Sequence, residues 1–398
     1  MTSNGSAREV VVVSGVRTAI GDYGASLKDV PPTKLGAIAI KEAVARAKVD
    51  PASVGHVVMG SVIHGEARDM YLSRVAAVDA GLPVATPCLT VNRLCGSGLQ
   101  AIVSAAQHLL LGDTDTVVAG GAESMSRAAY ILPAGRWGQR MGDEPVVDAM
   151  TGALHDPFGH GHMGVTAENI AAKFGFTREQ QDAFALESHK RAENALAQGW
   201  FKDQIVPVEL KTRKGVEQFT TDEHVRKGLK PEDLQKLKAV FKKEGTVTAG
   251  NASGLNDAGA AVVMCSSVFA KKQNLKPIAR LVSYAHAGVE PQVMGLGPIP
   301  ASKRVFEKAG LKPSDMDVVE SNEAFAAQAM AVTQDLGLDP KKVNPNGGAV
   351  ALGHPIGATG AILTVKALYE LQRTQKRYAL VTMCIGGGQG IAAIFERL

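Results

Sequence analysis

The sequence has few of the residues that indicate a specialised structural class. It contains only four cysteines, with no C-x-x-C spacing, so neither a disulfide framework nor a cysteine zinc site is expected. No run of about 20 apolar residues is present, and we therefore expect no membrane-spanning helix. The stretch from Met1 to Arg8 has no apolar core of the kind found in signal peptides. We expect a cytoplasmic protein.

Several common nucleotide and hydrolase motifs are also missing. There is no G-x-x-x-x-G-K-[ST] phosphate loop, no G-x-G-x-x-G after the first strand and no G-x-S-x-G elbow. Nucleotide hydrolysis, nicotinamide chemistry and serine hydrolysis are therefore not indicated.

The net charge of +4 is small for the length and gives no argument for nucleic acid as a partner. Residues 202–244 are richer in charge, with eleven Lys and Arg against eight Asp and Glu. This segment is either a solvated mixed-charge face or a landing surface for an anionic cofactor such as a nucleotide phosphate.

Short apolar runs alternate with segments of helical periodicity, and 43 glycines supply the turns between them. This rhythm predicts an α/β protein with a parallel sheet and helices on its faces. Strands are predicted over Val10–Val13, His56–Met59, Leu89–Val91, Thr116–Ala119, Ala279–Tyr284, Met316–Glu320 and Tyr378–Met383. Helices are predicted over Leu35–Ala47, Met70–Ala80, Leu99–Leu111, Ser302–Ala309, Ala324–Leu336 and Ala358–Leu371.

Two pairs of segments resemble each other. Leu89–Gln107 aligns with Val343–Lys366, and Thr116–Ser124 aligns with Ala379–Gly388. This self-similarity predicts two halves built on one plan. Residues 122–248 do not follow it and are predicted to form an inserted domain. The predicted division is residues 1–121 with 249–273, then 122–248, then 274–398.

Cys95 stands between a predicted strand and an apolar helix, next to Gly96 and Gly98. A thiol at a helix N-terminus is favoured as thiolate by the helix dipole, although a free cysteine is most often buried and inert. His354 lies in the glycine-rich loop that matches the Cys95 region in the other half. Pseudo-symmetry would therefore bring this imidazole next to the thiol as its base.

Cys384 ends a predicted strand and precedes Ile385 and three glycines, a backbone able to direct N–H groups to one point. Alone it could equally be an inert thiol. Asn322 follows another strand and is suited to stabilising an oxyanion or to capping a helix. His160 and His162 have the H-x-H spacing of metal sites, but no third ligand stands nearby in sequence, and no metal is expected.

Four motifs together resemble the thiolase family over nearly the whole chain. They are Asn92-Arg93-Leu94-Cys95-Gly96-Ser97-Gly98, Asn322-Glu323-Ala324-Phe325, Gly353-His354-Pro355 and Cys384-Ile385-Gly386-Gly387-Gly388. The likeness is greatest to bacterial acetyltransferases and β-ketothiolases that supply polyhydroxyalkanoate synthesis. It implies two duplicated βαβαβαββ halves in a five-layered αβαβα core with an inserted loop domain.

The resemblance also implies the chemistry. Cys95 would carry the acyl group, His354 would activate it, and Cys384 would move the α-proton of the second acyl-CoA. Asn322, through a water, and His354 would stabilise the enolate, and the N–H groups of Cys95 and Gly386 would hold the tetrahedral intermediate. Residues implied in substrate and coenzyme A binding are Leu154, His162, Met163, Arg226, Phe241, Ala249, Ser253, Met294, Phe325 and Ile356.

Acyl-CoA and CoA are then the partners, as substrates, with no other cofactor, no nucleic acid and no membrane, and the family implies a homotetramer. Two rival functions are possible on this fold. A decarboxylating condensing enzyme would pair the nucleophilic cysteine with two histidines, or with a histidine and an asparagine, and Cys384 argues against it. A non-catalytic acyl-CoA or lipid carrier on this scaffold would lack one of Cys95, His354 or Cys384, and all three are present.

Overall fold

The structure is a computed structural model and describes residues 8–213 and 215–398. The stretch Met1–Arg8, in which no signal peptide is expected, therefore lies almost entirely outside the described residues. Strands of four residues or more are numbered β1 to β11, and α-helices α1 to α12, in chain order.

The first half of the molecule runs from the start of the described chain to β4 and is completed by a strand that returns after the insertion. Its elements are β1 (Val10–Thr18), α1 (Pro32–Ala47), β2 (His56–Gly60), α2 (Leu72–Asp79), β3 (Cys88–Val91), α3 (Ser97–Leu111), β4 (Thr116–Ser124), β7 (Asn256–Ser266) and α8 (Ser267–Lys272). The predicted strand over Thr116–Ala119 is too short. It continues through Gly120 and Gly121 because β7 pairs with it along its whole length, from Thr116 opposite Cys265 to Ser124 opposite Asp257.

The second half repeats this order of elements. It contains β8 (Ala279–Gly288), α9 (Pro298–Ala309), β9 (Val318–Ser321), α10 (Ala326–Asp335), α11 (Ala349–Leu352), α12 (Thr359–Thr374), β10 (Tyr378–Ile385) and β11 (Gln389–Arg397). The strand order along the sheet is β9-β10-β11-β8-β1-β7-β4-β2-β3, so the two halves mirror each other about the β8–β1 pair. Val343, which bridges to Val319, takes the place that β3 has in the first half. The predicted duplication is confirmed.

The prediction of a parallel sheet is wrong in part, because the sheet is mixed. β2 pairs in parallel with β3 and β4, and β9 pairs in parallel with β10. In contrast, β7 is antiparallel to β1 and β4, and β11 is antiparallel to β8 and β10. The glycine turn at Gly387 and Gly388, both with positive φ, reverses the chain directly after β10, and a direct reversal of this kind gives an antiparallel pair.

Helices form three of the five layers. α1 and α2 cover the outer face of the first half, α9 and α10 cover the outer face of the second, and α3 and α12 pack against each other in the middle. The position of α3 and α12 between the two halves explains why both helices are largely apolar. The stretch Leu94–Leu111 has the length and apolarity of a membrane span, but most of α3 is buried between the two halves, as expected for a core helix.

The insertion between β4 and β7 packs over the carboxyl ends of the strands. It contains α4 (Ala149–Ala153), α5 (Met163–Phe174), α6 (Arg178–Ala197), the hairpin β5 (Val208–Thr212) and β6 (Gly215–Phe219), and α7 (Pro231–Gln235). α5 and α6 contact α10, and α6 also contacts α11. The insertion is therefore attached mainly to the half that carries Asn322 and His354. The domain boundaries given above stay a prediction.

Candidate active site

A strained turn places Cys95 at the start of α3. Leu94 has a φ of +43°, which is uncommon for a residue with a branched side chain. Hydrogen bonds fix this turn: the Leu94 N–H donates to Asn92 Oδ1 at 2.9 Å, and Ser97 Oγ donates to the Leu94 carbonyl at 2.7 Å and accepts the Arg93 N–H at 2.8 Å. The motif around Cys95 is thus a rigid turn that presents the thiol.

The N-terminal turns of α3 and α12 approach each other closely at two glycines. A Cβ atom on Gly98 would lie 2.7 Å from the backbone nitrogen of Ala361, and one on Gly360 would lie 2.2 Å from that of Leu99. Side chains at these positions would push the helices apart. The two glycines therefore allow the two helix starts, with Cys95 ahead of one and His354 ahead of the other, to meet at the centre.

His354 is buried, and its hydrogen bonds define its tautomer. Thr359 Oγ1 donates to the Pro355 carbonyl at 2.9 Å and therefore accepts from His354 Nδ1 at 2.6 Å. Nε2 is left with a free electron pair. Burial lowers the pKa of His354 to about 4, so the ring is neutral near pH 7. The His354 backbone N–H donates to Asn256 Oδ1 at 2.9 Å, which fixes the loop. His354 is thus held as a neutral imidazole.

The Cys95 residue is half-buried, but its sulfur is surrounded by protein. Burial raises the pKa of the thiol to about 11. The nearby Glu123 carboxylate also raises this pKa, whereas the backbone N–H groups of Gly386 and Cys95 lower it in part. Cys95 is therefore a thiol at rest and requires a base. The two N–H groups at the sulfur belong to different halves of the molecule, which agrees with the oxyanion hole implied for Cys95 and Gly386.

Cys384 is the last but one residue of β10 and is fully buried. Burial raises the pKa of its thiol, and a negative charge on Cys95 would raise it further. The next residue, Ile385, lies against the Cys95 turn, since a Cβ atom on Gly96 would be 2.6 Å from Ile385 Cδ1. Apolar side chains surround Cys384, and four of them were implied by the family resemblance, namely Met163, Met294, Phe325 and Phe241.

Asn322 is fully buried, and its side chain faces His354. Its Nδ2 lies 3.4 Å from His354 Nε2, while its Oδ1 has no hydrogen-bond partner among the described residues. A buried amide oxygen of this kind requires a donor such as a water molecule. The adjacent Glu323 carboxylate accepts Ser188 Oγ at 2.7 Å, Asn344 Nδ2 at 2.8 Å and the Val350 N–H at 3.2 Å. Glu323 therefore holds the Asn322 loop in place.

The other implied binding residues fall into three groups. Ile356 packs with Cys95 rather than with Cys384. His162 caps α5, stacks on Phe241 with ring centroids 4.7 Å apart, and lies beside Leu154, whose carbonyl accepts the Met163 N–H at 2.8 Å.

Ser253, Ala249 and Arg226 lie outside these clusters. The Ser253 N–H donates to the Ala324 carbonyl at 3.0 Å, which joins it to the Asn322 loop. Ala249 is exposed, and so is Arg226, whose backbone N–H donates to His189 Nδ1 at 3.2 Å. No cluster of three or more metal-ligating side chains is present in residues 8–213 and 215–398.

Three positioning residues were missed from the sequence: Thr359, Asn256 and Glu123. Thr359 follows His354 by five residues, which is the only local signal. Asn256 begins β7, and Glu123 is the last but one residue of β4, so both reach the site only through the pairing of these strands. The structure therefore brings together Cys95, His354, Asn322, Gly386 and Cys384, and adds these three from elements that the motifs do not include.

Family models match both halves of the chain. The model described as "Thiolase, N-terminal domain" matches residues 10–268, and "Thiolase, C-terminal domain" matches residues 275–397. The β-ketothiolase BktB of Cupriavidus necator is 68% identical, covering 98% of this chain and 100% of the relative. An acetyl-CoA acetyltransferase of Allochromatium vinosum is 49% identical, covering 98% and 99%.

Solved structures agree over the whole fold. The acetyl-CoA acetyltransferase of Bacillus anthracis superposes with a TM-score of 0.97 at 45% identity, covering 100% of both chains. Human mitochondrial 3-ketoacyl-CoA thiolase in complex with CoA superposes with a TM-score of 0.95 at 44% identity, covering 98% of both. The chain therefore belongs to the thiolase family and is an acyltransferase enzyme.

Proposed function

We propose that this enzyme is an acetyl-CoA C-acyltransferase, a β-ketothiolase. It catalyses the reversible Claisen condensation of two acyl-CoA molecules to a 3-ketoacyl-CoA and CoA, or thiolysis in reverse, through an S-acyl-Cys95 intermediate. The observation that carries the proposal is the convergence of the two halves at Cys95. Its sulfur accepts the backbone N–H of Gly386, two residues after Cys384, and a Cβ atom on the adjacent Gly96 would lie 2.6 Å from Ile385 Cδ1. The names of the relatives support the same reaction class.

In the first half-reaction the proton of Cys95 passes to His354 Nε2 while the sulfur forms a bond to the thioester carbonyl carbon. The carbonyl electron pair moves to oxygen, which the N–H groups of Cys95 and Gly386 stabilise. The C–S bond to CoA then breaks as the carbonyl re-forms. The departing CoA thiolate takes the proton of Cys384, which leaves Cys384 as a thiolate and His354 as an imidazolium.

In the second half-reaction the Cys384 thiolate removes the α-proton of the next acyl-CoA. Burial raises the pKa of Cys384, so its thiolate is a strong base in this dry site. The enolate oxygen is stabilised by His354 Nε2–H and by a water held at Asn322 Oδ1. The enolate carbon attacks the acyl group on Cys95, and the released sulfur recovers its proton from His354.

This sequence of steps distinguishes the two thiols experimentally. Incubation of Cys384→Ala with isotopically labelled acetyl-CoA should give a protein acetylated on Cys95, measured by mass spectrometry of the intact protein and its peptides. Condensation and thiolysis should both be lost. Cys95→Ala should lose both activities without acetylation. Cys265→Ala, which changes a buried thiol of β7 away from the site, should keep both activities. An unacetylated Cys95 in the Cys384→Ala protein would contradict the division of labour.

Substrate range and assembly belong to the same proposal. Acetoacetyl-CoA is the proposed substrate, with 3-ketovaleryl-CoA or slightly longer chains also accepted, and coenzyme A thioesters need no added cofactor. The residues implied in CoA binding, Arg226 and Ser253 among them, are proposed to contact the nucleotide and the pantetheine arm. We also propose a cytoplasmic homotetramer. Exposed apolar side chains in the insertion, such as Trp137 and Met141, support self-association.

A further inference from the structure

Glu123 is a fully buried carboxylate beside Cys95 that the mechanism above does not use. Its two oxygens accept three backbone N–H groups. Oε2 accepts from Val62 at 3.0 Å and from Gly357 at 2.9 Å, and Oε1 accepts from Ile63 at 3.2 Å. The donors come from two separate segments, one after β2 in the first half and one before α12 in the second.

These two segments form the wall of the site on the Cys95 side. Ile63 and Ile356 are buried in one apolar cluster against which Cys95 packs. The segment at Gly357 is also in close backbone contact with β4, since a Cβ atom on Gly121 would lie 2.1 Å from the Gly357 carbonyl oxygen. Glu123 is two residues further along the same face of β4. Its carboxylate therefore joins the wall to the strand that supports it.

The hydrogen-bond pattern favours the ionised form of Glu123. All three contacts are donations to the carboxylate, and no acceptor for a carboxylic acid proton contacts either oxygen within the described residues. Burial opposes ionisation and raises the pKa of Glu123 to about 8. The charge of Asp69 also raises this pKa, whereas the three N–H groups lower it in part. The titratable groups that face Glu123 are thus Asp69, from the turn at 67–71, and Cys95 at the start of α3.

We propose that Glu123 is a positioning residue for acyl transfer, which anchors both backbone segments beside Cys95 and, in its ionised form, keeps the proton on the Cys95 sulfur until His354 removes it. This inference rests on the proposed function. A negative charge behind the sulfur disfavours a free thiolate, so Cys95 reacts when a substrate carbonyl and the imidazole are both in place. The same charge protects the resting thiol from adventitious electrophiles.

The test measures alkylation of Cys95 by iodoacetamide, with the modified peptide quantified by mass spectrometry. In Glu123→Gln the charge is lost while the size is kept. At pH 9 we expect alkylation about three- to fourfold faster than in the wild type, because about tenfold more thiolate is partly offset by its lower nucleophilicity. Glu370→Gln is the matched control, since it removes the charge of a buried carboxylate near the far end of α12 that contacts Asn346 and Arg373, and its rate should equal that of the wild type.

A second variant separates the charge from the packing. Glu123→Asp keeps the carboxylate and should be alkylated at close to the wild-type rate. A folded Glu123→Gln protein with an unchanged or slower rate, or a Glu123→Asp protein that reacts as fast as Glu123→Gln, would overturn the inference. Alkylation does not depend on turnover, so a wild-type enzyme without thiolysis activity would instead overturn the proposed function.

Discussion

Gly98 and Gly360 lie backbone against backbone where the two central helices begin, and this contact sets the distance between the Cys95 turn and the His354 loop. In Gly360→Ala the added Cβ would lie 2.2 Å from the Leu99 nitrogen, so the helices must move apart. We expect a loss of about 1–3 kcal/mol in the free energy of unfolding, measured with urea.

The catalytic effect of Gly360→Ala should exceed the effect on stability. A displacement of about 1 Å between nucleophile and base costs on the order of 100-fold in rate, so kcat should fall at least tenfold under conditions where the variant is folded. Gly152→Ala is the control, because the nearest atom to its added Cβ, a methyl of Val147, is 4.0 Å away. Equal kinetics in Gly360→Ala and the wild type would show that the helix contact does not position the site.

Removal of the Thr359 hydroxyl should separate catalysis from binding. Thr359→Val leaves His354 Nδ1 without its acceptor, so the tautomer with a free Nε2 pair is no longer fixed. We expect kcat for thiolysis to fall about tenfold with KM unchanged. Thr364→Val removes a buried hydroxyl from the same helix, one that donates to the Gly360 carbonyl at 2.8 Å, and should leave kcat near the wild-type value. Equal losses in the two variants would mean a general effect on α12.

The low pKa of His354 predicts a loss of stability in acid. Burial holds the pKa at about 4 in the folded protein, against an ordinary value of 6.5. Below pH 6.5 His354 is therefore protonated in the unfolded chain but stays neutral in the folded protein. The free energy of unfolding falls as the pH is lowered toward 4. The contribution of this one residue is fully present above pH 6.5.

The variant His354→Asn isolates this contribution. Between pH 7.5 and 5.5 its free energy of unfolding should fall by about 1 kcal/mol less than that of the wild type, measured by urea denaturation. Above pH 7.5 the two stability curves should run parallel, which serves as the internal control. Parallel curves down to pH 5.5 would mean that His354 is protonated as readily in the folded protein as in the unfolded chain.

The side chain of Met294 is predicted to limit the acyl-chain length. It is buried in the cluster that surrounds Cys384, with Phe325 and Met163. Met294→Ala should raise the ratio of kcat/KM for a six-carbon 3-ketoacyl-CoA to that for acetoacetyl-CoA by about tenfold, since a few methylenes of added space are worth this much in an apolar pocket. Met330→Ala, which lines a separate cavity behind Glu323, should leave the ratio unchanged. A ratio that stays constant in Met294→Ala would place the limit elsewhere.

The proposed reacting groups can be picked out in the sequence because each lies in a contiguous motif at the end of a strand. Cys95, Asn322, His354 and Cys384 are recognisable by their neighbours, and the duplicated pattern predicts that they meet. The second strand of each antiparallel pair is less visible. β11 was not predicted, although it is nearly all buried, because its direction and partners depend on the reversal at Gly387 and Gly388.

The residues that support the reacting groups could not be predicted in the same way. Glu123 and Asn256 are ordinary polar residues in sequence. They reach the site because β4 pairs with β7, and the loop of the other half then donates backbone N–H groups to their side chains. Such contacts join residues far apart in the chain, and neither periodicity nor motif spacing records them.

The two mirrored halves contribute different chemical groups to the site. One copy carries the sulfur proposed to hold the acyl group, and the other carries the imidazole, the amide and the second sulfur. A change in either copy must be tolerated by the groups that the other presents across the central helices. The two halves of this duplicated fold are thus mutually dependent, and neither is free to diverge alone.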